Sequence, residues 1–299
     1  MKGVFIIADK QTYNFTNEID TIEVSSLGAK IIMQPGDRSD IYVEYTNPKD
    51  SPEFCAVLSG KALTLKESFS FSIFGSKPAE DYQIFVELPR HTYQKIKLNT
   101  ASGGVEIGQV SADSFSLNTA SGNINVNAFF NDVRLQSASG NIMLNNPGSA
   151  VGGDGFVEVK ESGIAKSLNI CTVSGNATVS GYRTEEFGVH SVSGTTSVTG
   201  ISGKGSVSAT SGNVNLSYAE WDGDLNISLI SGNVNVELPA DSGMDLSFSG
   251  VSGMLKTDLG REKGSFMNLG KGTNGEFGGA NKHKVSASLT SGTVTVSQR

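Results

Sequence analysis

Along most of the chain apolar and polar residues alternate one for one, and no stretch sustains the spacing of a helix. Ile22 with Val24 and Ile31 with Met33 lie in short runs bounded by Leu27-Gly28 and Pro35-Gly36-Asp37. Ile41, Val43 and Tyr45 alternate with polar neighbours, as do Leu63 with Leu65, and Ile84 with Val86 and Leu88. A period of two between turn residues predicts strands with one buried face. The expected class is all-β.

From residue 96 the alternation becomes a repeat. Ser-Gly recurs at Ser102-Gly103, Ser121-Gly122, Ser139-Gly140, Ser174-Gly175, Ser193-Gly194, Ser211-Gly212, Ser231-Gly232, Ser252-Gly253 and Ser291-Gly292. The intervals are 18–21 residues except for two, of 35 and 39, and each of those is expected to hide one degenerate copy. Counting the serine as position 0, positions −6, −4, +3 and +5 are apolar in nearly every copy. Ile96, Leu98, Val105 and Ile107 fill them in the first, and Leu225, Ile227, Val234 and Val236 in a later one. Ser, Asn, Thr and Lys stand between them. Each copy is therefore a strand, a Ser-Gly corner and a second strand.

The inward set changes from even to odd offsets at the corner, which demands a bend. Glycine at +1 is expected to supply unusual backbone angles, and Asn123, Asn141, Asn176, Asn213 and Asn233 at +2 to tolerate positive φ. Hairpins could use such a turn, but they give no reason for identical residues at identical offsets. Stacked coils do, because each residue lies over its equivalent. The expectation is a parallel β-solenoid (β-helix) of about 10–11 turns, 18–20 residues each, roughly 50 Å long at about 4.8 Å per rung.

Composition sharpens the division. Residues 1–95 carry five of the 36 Gly and five of the seven Pro. We expect an N-terminal β-rich capping domain over 1–95 and a Ser-Gly repeat solenoid over 96–299. Solenoid ends expose strand edges and need cover. Residues 1–95 are placed to cover one end, whereas Val294-Thr295-Val296 predicts a poorly covered other end.

Lys plus Arg is 23 and Asp plus Glu 30, a net charge of −7. With no basic run, the chain lacks the electrostatic footprint of a nucleic-acid binder and the polybasic patch of an anionic-membrane binder. No apolar run approaches the roughly 20 residues of a membrane span, nor does the start match a signal peptide. The expected compartment is the cytoplasm or an envelope association without a direct span. Cys55 and Cys171 are too few for a disulfide framework and read as two unrelated thiols.

Candidate chemistry is sparse. Gly270-Lys271-Gly272-Thr273-Asn274-Gly275 matches G-x-G-x-x-G, but a dinucleotide site needs a helix after it, so a loop is expected. A serine nucleophile needs a positioned base, and His91, His190 and His283 are isolated while nine corner serines are equivalent. Glu185-Glu186, Asp222 with Asp224, and Glu158 with Glu161 are local carboxylate clusters of the repeat region, and none recurs from copy to copy as a glycosidase pair on a solenoid flank would require. No catalytic residue, cofactor or metal ligand is expected. Position −1 is uncharged throughout and apolar in most copies. Either the corner curls it inward, or Val173, Val192, Ile230 and Val251 form an exposed docking stripe. Trp221 is a further binding candidate or else a loop anchor, and Phe69, Phe71, Ile73 and Phe74 form a second apolar patch.

The unit, best seen in Leu117–Val126 and Leu225–Val236, resembles the bacterial "putative adhesin" β-strand-repeat domain, a family of unknown function. Val86-Glu87-Leu88-Pro89 and the Gly-rich loop before Lys284-Val285-Ser286-Ala287 are similar to it as well. The resemblance implies a β-repeat rod at or near the bacterial envelope and carries over no catalytic residue. The function expected is a non-enzymatic, adhesin-like module for a protein or glycan ligand. The alternatives are a self-assembling, bactofilin-like scaffold, with self-association through the solenoid, and a polysaccharide-active β-helix enzyme.

Overall fold

The structure is a computed structural model and describes residues 9–47, 53–68, 82–147, 163–270 and 272–299. Among these there are strands and turns and no α-helix. The chain divides into two compact units, Met1–Phe130 and Asn131–Arg299. The contacts thus divide elsewhere than at the composition shift near residue 95. In both units the predicted alternation is realised, with side chains at positions −6, −4, +3 and +5 buried. Each such side chain contributes about 1.5–3 kcal/mol on leaving water.

In the second unit each coil has two strands joined at its Ser-Gly corner, and equivalent residues pair in parallel register. Val133 and Leu135 lie beside Leu168 and Ile170, which lie beside Phe187 and Val189. These are followed by Gly205 and Val207, then Leu225 and Ile227. Beyond the corner, Ala177 and Val179 lie beside Thr196 and Val198, and these beside Val214 and Leu216. The pairing is direct from Asp132–Ser137 to Ser167–Thr172 and from Ile142–Asn145 to Ala177–Ser180. Among the described residues no extra coil fills the 35-residue interval, contrary to expectation. Residues 148–162, between Asn145 and Ala165, lie outside the described residues.

The last coils do not stack in chain order. Leu225–Leu229 pairs with Asn281–Leu289, which in turn pairs with Ser242–Gly250. Likewise Asn233–Leu238 pairs with Thr293–Gln298, and that strand with Met254–Thr257. The C-terminal coil is therefore tucked one layer in. Among the described residues the 39-residue interval holds no parallel coil either. Its Asn274–Gly278 and Met267–Leu269 strands run antiparallel along the outermost coil. Val294 and Val296 are interior and 0% and 1% exposed, so the expected bare C-terminal edge is absent: short antiparallel strands cover that end.

The first unit is built the same way. Thr21–Ser26 pairs in parallel with Thr92–Thr100, Ile22 beside Ile96 and Val24 beside Leu98. Lys30–Pro35 pairs with the strand beginning at Val105, Ile31 beside Val105 and Met33 beside Ile107. On their other side lie Ala62–Ser68 and Gln83–Leu88, again parallel. Residues 21–35 are thus a solenoid coil, tucked one layer in. Its corner was illegible because Gly28 and Ala29 stand where Ser-Gly stands elsewhere. Antiparallel strands Glu53–Ser59, Ile41–Asn47 and Asp9–Phe15 cover the edges. Residues 1–95 thus hold one parallel coil together with antiparallel edge strands. Phe69, Phe71, Ile73 and Phe74 lie outside the described residues.

The corner glycines are required for a reason other than the expected one. Of the nine, only Gly232 and Gly292 have positive φ, and no corner asparagine does. Gly103, Gly122, Gly175 and Gly194 share a close approach instead: a Cβ on Gly194 would lie 1.9 Å from the Gly175 carbonyl oxygen, and one on Gly122 2.0 Å from that of Gly103. Glycine here lets consecutive coils touch backbone to backbone.

Candidate functional site

The corner also determines where position −1 points. The Val173 carbonyl accepts from the Ser193 amide at 2.8 Å and from the Ser193 hydroxyl at 3.0 Å. Val192 is held identically by Ser211, and Thr290 by Ser252. On the other side, the Val192 amide donates to the Thr172 carbonyl and the Ile230 amide to that of Ala209. With both backbone groups bonded to neighbouring coils, the residue cannot roll inward. Val173, Val192, Ile230 and Val251 are 49%, 45%, 58% and 70% exposed, which resolves the two alternatives in favour of an exposed ridge. The ladder sets its order as Val173, Val192, Thr210, Ile230, Thr290, Val251.

Two polar faces flank the ridge. On the strands before the corner, a shallow recess of about 300 Å³ is floored by Ser206, Ser208, Ser228, Ser249, Ser286 and Ser288, among others. Among the described residues these hydroxyls have no side-chain partner. On the strands after the corner the side chains satisfy one another instead: Asn235 donates to Asn215, Asn233 to Asn213, and Ser217 to Glu237. A second recess of about 240 Å³ lies over this face.

The remaining candidates serve the fold. Trp221 is 3% exposed and its Nε1 donates to the Gly243 carbonyl at 2.7 Å, so it anchors a loop. Its ring meets Tyr218 and His283 edge-on, and burial pushes the Tyr218 phenol far above its usual range, with the Asp222 charge adding to it. Asp222 accepts the Gly203 amide and Asp224 the Lys284 amide, so these carboxylates cap backbone. Glu185 and Glu186 share a strand, and Glu158 and Glu161 lie outside the described residues. The corner hydroxyls of Ser102, Ser121, Ser174, Ser193, Ser211 and Ser252 each donate to a carbonyl. His91 packs on Tyr93. The G-x-G-x-x-G stretch runs into the Asn274–Gly278 strand, with Lys271 outside the described residues. Cys55 and Cys171 are free thiols, exposed and half-buried. Among the described residues no three His, Cys, Asp or Glu side chains gather as a metal would need, and no helix is long and apolar enough to cross a membrane.

A family model described as Toastrack DUF4097 matches residues 19–297. The chain belongs to the Toastrack DUF4097 family. The match begins at the tucked N-terminal coil, so the Toastrack unit includes Thr21–Pro35 and extends through the C-terminal coil. Among solved structures, the chain is similar to a "putative lipid binding protein" from Parabacteroides distasonis ATCC 8503, at 12% identity, 96% of each chain covered and a TM-score of 0.56. A "putative adhesin" from the same organism matches at 12% identity, 96% and 97% coverage and a TM-score of 0.49. One from Bacteroides fragilis NCTC 9343 matches at 12% identity, 99% and 100% coverage and 0.46. At 12% identity the likeness to the first of these, with its TM-score of 0.56, is one of fold. No curated protein matches the chain. The Toastrack fold is β-solenoid-like, in keeping with the parallel coils seen here.

Proposed function

We propose that this Toastrack chain is a non-enzymatic binding module of the bacterial envelope, and that the ridge of Val173, Val192, Ile230 and Val251 is its contact surface. The observation that carries the reading is the exposure of these four side chains in one ladder-ordered row. Aligned exposed apolar side chains mark an interaction surface, whereas scattered ones do not. The engagement of the corner serines and of Asp222 and Asp224 with backbone speaks for binding over catalysis. The antiparallel strands over the outermost coils favour a discrete module over end-to-end polymerisation.

The test is retention of the purified chain on envelope fractions and on a glycan array, beside the Val192→Asp, Ile230→Asp double variant. Loss of at least tenfold in binding, with unchanged circular dichroism, is the expected result. Equal binding by a folded variant overturns the ridge as contact surface.

A further inference from the structure

We infer that the partner of the ridge is a second copy of this chain, the two being related by a twofold axis so that each ridge lies in the other's serine recess. This rests on the ridge being the contact surface proposed above. The second unit carries a row of knobs and a row of holes on the same strands. Ile230 and Val251 follow Ser228 and Ser249 by two residues, and those serines floor the recess of about 300 Å³. Knobs and holes are rungs of one hydrogen-bonded ladder and share its spacing of about 4.8 Å. A second copy therefore matches the period without adjustment over the four rungs that line the recess, those of Thr210, Ile230, Thr290 and Val251, as a foreign surface does only by coincidence.

Charge points the same way. The chain carries −7, so two copies repel unless they meet on neutral ground. In the second unit no Asp, Glu, Lys or Arg occupies positions −3, −1, 0 or +2 of any Ser-Gly copy. On the four coils that line the recess the charged side chains begin at position −7, four residues behind −3, at Lys204, Asp224, Lys284 and Asp245. Both signs are present there, at the rim of the contact. An isologous contact asks one patch to complement itself, and a ridge adjoining a recess of equal period does so.

Equilibrium sedimentation of the full chain tests this. The expected result is a concentration-dependent dimer whose dissociation constant rises at least tenfold in Ile230→Asp, which sets a carboxylate in the recess. The same rise is expected in Ser228→Phe, which fills the recess and leaves the ridge untouched. Ile230→Val, which keeps the knob, retains the dimer. Circular dichroism confirms that each variant is folded. A chain that stays monomeric up to millimolar concentration overturns the inference, as does a dimer indifferent to both Ile230→Asp and Ser228→Phe. A monomer that still loses envelope or glycan binding in the ridge double variant removes the second copy and keeps the binding module. Monomeric behaviour with ridge-independent binding removes both.

Discussion

The amide of Ser291 donates to the carbonyl of Ile230 at 2.9 Å, and the amide of Ser252 donates to the carbonyl of Thr290 at 3.0 Å. Ile230 and Val251, consecutive corners in the chain, are therefore separated in space by Thr290. The coil that ends the chain is held between two coils that precede it.

This placement predicts an unusual protection pattern. Terminal strands ordinarily fray first. Here the amides of Val285–Leu289 and Val294–Val296 are expected to exchange hydrogen as slowly as those of Val234 and Val236. Exchange read by mass spectrometry checks it, and a rapidly exchanging 281–298 segment would contradict the tucked coil.

The corner glycines predict a sharp split between two alanine substitutions. In Gly194→Ala the new Cβ meets the Gly175 carbonyl oxygen at 1.9 Å, with the backbone of Ser174 and Gly175 behind it. A loss of about 3 kcal/mol is expected, the upper part of the range for overpacking. Gly108 has nothing within 4 Å and no positive φ. Gly108→Ala is expected to be neutral or stabilising by up to about 1 kcal/mol. The urea midpoints of the two variants decide.

The corner serines are expected to behave as hydrogen-bond donors and nothing more. Ser193→Ala removes one of two donors from the Val173 carbonyl, leaving the amide in place. The cost is about 1 kcal/mol, measured by thermal unfolding. A fluorophosphonate probe is expected to leave the wild-type chain unlabelled; labelling at Ser193 would reverse the non-catalytic reading.

Trp221 is the chain's one tryptophan and is buried against Tyr218 with its Nε1 bonded to Gly243. Its emission is expected to be blue-shifted and resistant to acrylamide, moving to the red only when the second unit unfolds. Trp221→Phe forfeits the Gly243 hydrogen bond and is expected to cost about 1–3 kcal/mol. A red-shifted, freely quenched native spectrum would return Trp221 to the surface.

The amino-acid order by itself determined the strands, the corners and the parallel stacking. Alternation tells a strand which face to bury, and a ladder of identical offsets is satisfied by stacked coils alone. It also named the ridge residues. It could not say which way they face, because that depends on both backbone groups of Val192 being bonded to neighbouring coils. It saw the unusual φ that Gly232 and Gly292 adopt, but not the constraint at Gly103, Gly122, Gly175 and Gly194, which is the carbonyl of another coil. It missed the coil at 21–35, whose Gly28-Ala29 corner breaks the pattern while its burial and register keep it. And it could not order the coils at either end. Each repeat offers equivalent edges to every other, so local pattern leaves the choice of neighbour open. Only the folded chain, which covers its outermost coils with antiparallel strands and tucks its terminal coils inside them, decides that order.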